Sequence, residues 1–197
     1  MLFRSGFSAK TTLALAQSLY ERYKALTYPR TDSRYLPEDY LNTVKDTVVA
    51  LSEGNGMSRG VAPHAATITK NGWVKPNKRV FDNKKVSDHF AIIPTLQVPK
   101  ELGEAEAKIY DLVVKRFLAI FFPSAEYRMT TRTTTVQSNK FKTEGKVLVS
   151  PGWLAVYGKE AQDEDATLVP VQSNEKVRAE DVESVGLATR PPARYNE

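Results

Sequence analysis

The run Thr27-Tyr28-Pro29-Arg30-Thr31-Asp32-Ser33 holds the residues of this chain best suited to phosphate chemistry. Pro29 fixes its own φ and steers Tyr28 toward extended backbone. In an extended segment, residues two apart face the same side, about 6.5 Å from each other along the chain. Tyr28 and Arg30 are therefore expected to project together. A phenol is a weak nucleophile at its unperturbed pKa of about 10; it needs a nearby cation and a route for its proton. A guanidinium grips a phosphate through paired hydrogen bonds and stabilises charge as it builds in a transition state. Read as composition alone, the run also suits an ordinary surface turn between two helices, and Asp32 and Ser33 suit a turn or a helix cap.

Other reactive groups are few. His64 and His89 are the only histidines and cysteine is absent. Disulfides and Cys-ligated zinc are excluded, and a His-based metal site is not expected. On its own, His89 reads as a core or loop histidine bonded to a carbonyl. Asp163, Glu164 and Asp165 are consecutive, so their side chains diverge and suit a solvated acidic loop over 159–165 better than a metal site.

The elements that must position these residues follow from periodicity. Leu13, Ala16, Leu19, Tyr20 and Tyr23 recur at helical spacing, which predicts a helix from Ser8 to Leu26, capped by Ser8 and ended by Pro29. A second helix is predicted to begin near Pro37, with Glu38 and Asp39 at its positive end. Its apolar stripe is Leu41, Val44, Val48 and Leu51, and Gly54, Asn55 and Gly56 stop it. Residues 52–85 read as loops with one short helix near Pro63. A third long helix is predicted over 103–122 on the stripe Ile109, Leu112, Val113, Phe117 and Ile120, terminated by Pro123.

The texture then changes. Thr-dense residues 127–136 predict a strand, with Arg128 and Arg132 on an exposed face. Residues 141–149 predict another, followed by a Pro151-Gly152 turn. Residues 153–157, 168–171 and 176–185 predict further short strands. The stretch 189–195 is too rich in proline for a closing helix. The fold class is α+β: a mainly helical domain over 1–122 that carries the tyrosine, then a β-rich segment over 123–197.

Charge points to a partner. The chain of 197 residues carries a net +5 with 41 % hydrophobic and 26 % charged residues, an ordinary globular composition. Residues 1–100 hold 15 Lys and Arg against 8 Asp and Glu, a net +7; residues 101–197 hold 13 against 15, a net −2. A basic first half suits a polyanion, nucleic acid first. Residues 70–85 carry six bases and one acid interleaved with Trp73 and Phe81, the pattern of a single-strand contact or of a solvated loop with its aromatics folded inward. Arg34 and Tyr35 are better placed for such contact because they follow the tyrosine closely. No apolar run reaches the length of a membrane span, and residues 1–7 lack a signal peptide's apolar region.

Taken whole, Thr27-Tyr28-Pro29-Arg30-Thr31-Asp32-Ser33 resembles the active-site signature of type IA DNA topoisomerases, in the topoisomerase III branch. Its flanks are similar as well: residues 6–13, Ala16-Gln17-Ser18-Leu19-Tyr20-Glu21 and Arg34-Tyr35-Leu36-Pro37. Ser87-Asp88-His89-Phe90-Ala91-Ile92-Ile93-Pro94-Thr95 resembles the family's His-x-Ala-Ile-x-Pro block. Arg116-Phe117-Leu118 and Pro191-Pro192-Ala193-Arg194-Tyr195 resemble later blocks, in the family's order. The resemblance covers nearly the whole chain.

The resemblance implies that Tyr28 attacks one DNA strand and becomes joined to its 5′-phosphate, that Arg30 positions that phosphate, and that His89 assists. Asp32 and Ser33 would order the loop or cap the helix, and Arg34 and Tyr35 would touch DNA. It implies relaxation or decatenation by passage of another strand, without ATP, with the β-rich segment as part of a hinged arch. Such enzymes carry a Toprim domain upstream of the tyrosine, which holds Mg²⁺, and a further DNA-binding domain downstream. The tyrosine at position 28 leads to the expectation of a central fragment that binds no metal itself and does not relax DNA alone. The rival expectation is a catalytically incomplete module that binds single-stranded DNA. The expected partners are DNA, mainly single-stranded, and the missing Toprim and C-terminal domains, with no membrane. The expected location is the bacterial cytoplasm, on chromosome or plasmid. Rolling-circle relaxases, with a close His pair, and tyrosine recombinases, with a late tyrosine, fit the residue order less well.

Overall fold

The computed structural model describes residues 6–161, 168–178, 180–181 and 183–189. The chain divides into two compact units, Met1–Thr167 and Leu168–Glu197. The described residues of the first hold four α-helices and one antiparallel hairpin, an α+β arrangement.

Helix α1 spans Ala9–Glu21, and the Ser8 side chain accepts a hydrogen bond from the Thr11 amide. It ends five residues earlier than its periodicity predicts, and Pro29 is not what ends it. Lys24 lies in the left-handed region at φ 54°. Beyond it, residues 25–27 exchange helical hydrogen bonds for pairing with residues 91–95. The Thr27 amide donates to the Ile93 carbonyl at 3.0 Å, and the Thr95 amide donates to the Ala25 carbonyl at 3.0 Å. Ala25 and Leu26 are buried there. A helix continued to Leu26 would forfeit that tertiary pairing, which outweighs local propensity.

Pro37 is extended and leads into a 3-10 turn, Glu38–Tyr40, before α2 runs from Leu41 to Ser52. Its buried stripe is Val44, Thr47, Val48 and Leu51; the Thr47 hydroxyl returns to the Thr43 carbonyl at 2.8 Å, which makes its burial tolerable. The short helix expected near Pro63 is α3, Ala62–Asn71, with proline in its first turn and a left-handed glycine, Gly72, at its end. Helix α4 spans Glu104–Ala119. Its buried face is Ile109, Tyr110, Val113, Val114, Phe117 and Leu118, rotated from the predicted stripe. Leu112 is only half-buried and Ile120 is exposed, so this side of α4 stays open.

Strand β1, Glu126–Val136, pairs with β2, Asn139–Ser150, in a register that sets Thr131 opposite Glu144. Gln137, at φ 54°, turns the chain between them. The strand predicted at 153–157 is instead part of a 3-10 segment, Gly152–Ala161, interrupted at Gly158. Gly152 causes the difference. At φ 46° its Cα sits so close to the Pro123 and Ser124 carbonyls that a Cβ would lie within 2.5 Å of them. The Trp153 amide then donates to the Pro123 carbonyl, which turns the chain inward and buries Leu154 and Val156.

In the second unit, the short strands expected at 168–171 and 176–185 do not form among the described residues. A turn stands at Ser173 and Asn174, and the Gln172 amide donates to the Glu175 carboxylate at 2.7 Å. Val169 and Val185 remain mostly exposed. Alternation predicts a strand only where a ladder partner and a buried face exist. The expectations at 162–167 and 190–197 lie outside the described residues.

Candidate active site

Tyr28 stands on a segment braced at both ends. Upstream, Thr27 is held three ways: its amide donates to the Ile93 carbonyl, its hydroxyl donates to the Ala91 carbonyl at 3.0 Å, and it accepts from the Ile93 amide at 2.9 Å. Downstream, Leu36 bridges to Phe81, its amide donating to the Val80 carbonyl and its carbonyl accepting from the Asp82 amide. Leu26, Pro29 and Leu36 are buried anchors between these braces. The residues between can hold side chains in fixed directions while facing outward.

The Tyr28 ring is half-buried and lies between two others. The His89 ring centroid is 4.4 Å away, at an interplanar angle of 39°. The Tyr20 ring meets it edge-on at 5.4 Å and 78°. Pairing of residues 25–27 with 91–95 brings His89 to Tyr28 across the sequence. Thus His89 sits against the tyrosine, exposed on its outer side, rather than in the core.

Arg30 is exposed and donates to the Gln17 side-chain oxygen at 3.1 Å; Gln17 in turn donates to Glu21 at 2.8 Å. Gln17 and Tyr20 are one turn apart on α1, so they share a face. Tyr28 and Arg30 therefore lean on the same side of one helix, in keeping with the spacing rule for an extended segment. Residue types alone did not single out Gln17 and Tyr20. Their three-residue spacing on the helix just before the tyrosine was the available signal.

Ser33 organises the next turn. Its amide donates to the Thr31 hydroxyl, its hydroxyl accepts from the Tyr35 amide at 3.2 Å, and that hydroxyl lies 3.1 Å from the Lys85 carbonyl. It therefore ties the segment to residue 85 rather than capping α2. Asp32 and Arg34 are exposed. The Tyr35 hydroxyl accepts from the Lys85 ammonium at 3.1 Å, and that contact raises the lysine's pKa above its ordinary value. The Tyr35 carbonyl accepts from the Ala91 amide, which joins this turn to the His89 block. In the basic stretch 70–85, Phe81 is buried and Trp73 packs against Phe122 at 5.0 Å, so these aromatics do serve the interior.

Among the described residues, no group of three or more His, Asp or Glu side chains could hold a metal ion. No helix there is long and apolar enough to cross a membrane.

The family model for DNA topoisomerase matches residues 3–197. The chain is 41 % identical over 202 residues to DNA topoisomerase 3 of Bacillus licheniformis, covering 98 % of this chain and 27 % of that protein. It is 39 % identical over 202 residues to DNA topoisomerase 3 of Bacillus subtilis and 40 % identical over 201 residues to that of Bacillus cereus, with the same coverage. The chain thus spans about a quarter of the length of these relatives. A match along nearly all of its residues places the braced Tyr28 segment inside a known family: the chain belongs to the type IA DNA topoisomerases, in the topoisomerase III branch.

Proposed function

We propose that this chain is the part of a type IA topoisomerase that cuts and reseals one DNA strand through Tyr28. The packing of the Tyr28 ring against His89, with Arg30 leaning on the same helix, is the observation that carries this reading. The Tyr28 oxygen attacks a backbone phosphorus, an O–P bond to tyrosine forms, and the bond from phosphorus to the 3′ oxygen breaks. The strand downstream stays joined to Tyr28 through its 5′-phosphate, and the released end takes up a proton as a 3′-hydroxyl. Arg30 holds the phosphate and offsets its growing charge. His89 is close enough to hydrogen-bond the phosphate or to help move the phenol's proton. Asp32 and Ser33 shape the loop, and Arg34 and Tyr35 meet the DNA.

One phosphoester is exchanged for another, so the reverse reaction reseals the strand without ATP. Between the two steps a second strand passes through the gap, which relaxes or decatenates DNA. The hairpin would belong to the hinge of that motion. The resemblance attaches Mg²⁺ to a Toprim domain; the described residues of this chain offer it no cluster of ligands. On this reading the chain alone makes no cut and relaxes no plasmid.

A chimera tests the reading. The segment of Bacillus licheniformis DNA topoisomerase 3 that corresponds to this chain is replaced by residues 1–197. A single-stranded oligonucleotide, labelled on the side 3′ to the cut, is added with Mg²⁺ and run on a denaturing gel. A labelled protein band that vanishes in Tyr28→Phe is expected. A band that persists in Tyr28→Phe, or a folded chimera that forms none, overturns the assignment.

A further inference from the structure

The two braces of the Tyr28 segment belong to one run, residues 80–95. Val80 and Asp82 pair with Leu36, while Ile93 and Thr95 pair with Thr27 and Ala25. Between these ends the run carries an exposed bend over 87–89, and His89 stands on it. Among the described residues, the backbone of 87–90 makes no hydrogen bond, so neither ladder nor helix fixes the imidazole. A side chain on such a bend is placed by whatever holds the ends of the bend.

Both ends close on Tyr35. At the far end the Ala91 amide donates to the Tyr35 carbonyl at 2.9 Å, and the Phe90 ring packs on Tyr40 at 4.7 Å. At the near end the Lys85 ammonium donates to the Tyr35 hydroxyl at 3.1 Å and lies 4.4 Å from the centre of its ring. The Asp82 carboxylate stands off from that ammonium at 4.0 Å, so the phenol is the closer partner. The phenol contact is also the largest cause of the lysine's raised pKa. The Ser33 hydroxyl, 3.1 Å from the Lys85 carbonyl, keeps the backbone of this end attached even when the ammonium lets go. What the ammonium adds is therefore the placement of the bend and not its attachment.

We infer that Lys85 is a positioning residue: by clasping Tyr35 it closes the loop over 86–90 and sets the His89 ring against the Tyr28 ring. Tyr35 thereby gains a part in the chain's own geometry, beside the DNA contact proposed for it. Lys85 acts through Tyr35 and His89 and touches neither reacting atom. The consequence for cleavage rests on the reading of Tyr28 as the nucleophile; the clasp itself rests on these contacts alone.

The test reads the two histidines of the 197-residue chain by nuclear magnetic resonance at about pH 8, above the ordinary imidazole range. His64→Gln assigns the two signals. The Tyr28 ring, 4.4 Å from that of His89, is expected to displace the His89 signal from its position in the unfolded chain. Lys85→Met removes the ammonium. Tyr35→Phe removes only the hydroxyl and keeps the ring and the carbonyl bonded to Ala91. Each is expected to move the His89 signal toward its unfolded position and to leave His64, on α3, where it was. The double variant should move it no further than the larger single change, since both break one contact. Lys85→Arg keeps a charged donor and should restore the signal. Lys84→Met removes the neighbouring charge and should leave it unmoved.

The clasp is wrong if the His89 signal stays in place in both Lys85→Met and Tyr35→Phe, if His64 moves along with it, or if Lys84→Met has the same effect. A His89 signal already at its unfolded position in the unaltered chain overturns it as well. In the chimera, Lys85→Met is expected to slow cleavage roughly ten- to a hundredfold at saturating oligonucleotide, with the affinity for the oligonucleotide unchanged. A loss of affinity at an unchanged rate would make Lys85 a DNA contact and overturn its positioning role. The two readings fail separately. A Tyr28-dependent band that forms at an unchanged rate in Lys85→Met removes the clasp alone. A folded chimera without a band removes the role of Tyr28 alone, and the histidine signals still decide the clasp.

Discussion

The tyrosine segment and the β1–β2 hairpin are both extended, yet they are held in opposite ways. Residues 25–36 make few regular hydrogen bonds; apart from the Ala25 amide to the Leu19 carbonyl, their backbone–backbone bonds go to chain more than forty residues away, and Leu26 and Leu36 are only 1 % exposed. The hairpin has an eleven-pair ladder, entirely local, and most of its residues are exposed. Local hydrogen bonding sets the shape of the hairpin. Burial and distant partners set the shape of the site. A tyrosine packed against a histidine sixty-one positions away needs the second kind of order.

The largest effect expected is chemical. If Tyr28 is the nucleophile proposed above, Tyr28→Phe in the chimera should lower cleavage at least about a thousandfold, because no other group replaces its oxygen. Its melting temperature should stay close to that of the parent, since the ring packing with His89 and Tyr20 is kept. A large fall in melting temperature would make Tyr28 a structural residue.

Stability then separates the two regions. Leu26→Ala empties a buried position in the tyrosine segment and should cost about 2–5 kcal/mol in urea unfolding. Thr131→Ala, on an exposed face of the hairpin, should stay within about 0.5 kcal/mol. Equal costs would break the comparison. Thr27→Val sharpens it further. It keeps the shape but removes a hydroxyl that bonds both Ala91 and Ile93, leaving part-buried groups unpaired at about 1–3 kcal/mol. Thr27→Ser should recover most of that loss.

The same contrast explains what the sequence made legible. The three long helices were readable because their stripes each sit in one stretch of chain, the short one from Pro63, and the two strands because Thr-rich and alternating runs are local as well; their pairing into a hairpin was not. The end of α1 was not, because Lys24 adopts a left-handed conformation only to let Ala25 and Leu26 meet residues 93–95. The residues 153–157 misled because their alternation is equally served by a 3-10 turn, and the deciding contact is between Gly152 and the Pro123 carbonyl. At the site, Tyr28, Arg30 and His89 could be named from type and motif. Gln17, Tyr20 and Lys85 could not, since their part depends on which helix face and which loop the fold brings alongside.

A smaller effect tests how well the helical body satisfies its own polar groups. Tyr110 is 1 % exposed on α4, and its hydroxyl has no hydrogen-bond partner among the described residues. Burial holds its ionisation well above the ordinary tyrosine range. A buried hydroxyl without a partner costs stability, so Tyr110→Phe should leave the fold equally stable or raise it by up to about 1 kcal/mol. A clear loss would mean that the hydroxyl is bonded in solution.

The smallest effect expected is on pH. His64, on α3 with its ring edge toward Phe122, has its pKa lowered from 6.5, first by burial and then by the positive charge of Lys115. The unfolded chain therefore takes up a proton at a higher pH than the folded one. Above pH 6.5 both forms are neutral and the stability is whole. As pH falls through 6.5 toward the folded value, the unfolded state gains protons first and stability declines. His64→Gln should flatten the fall in melting temperature between about pH 7 and pH 5. An unchanged slope would assign that fall to the carboxylates instead and leave α3 indifferent to its histidine.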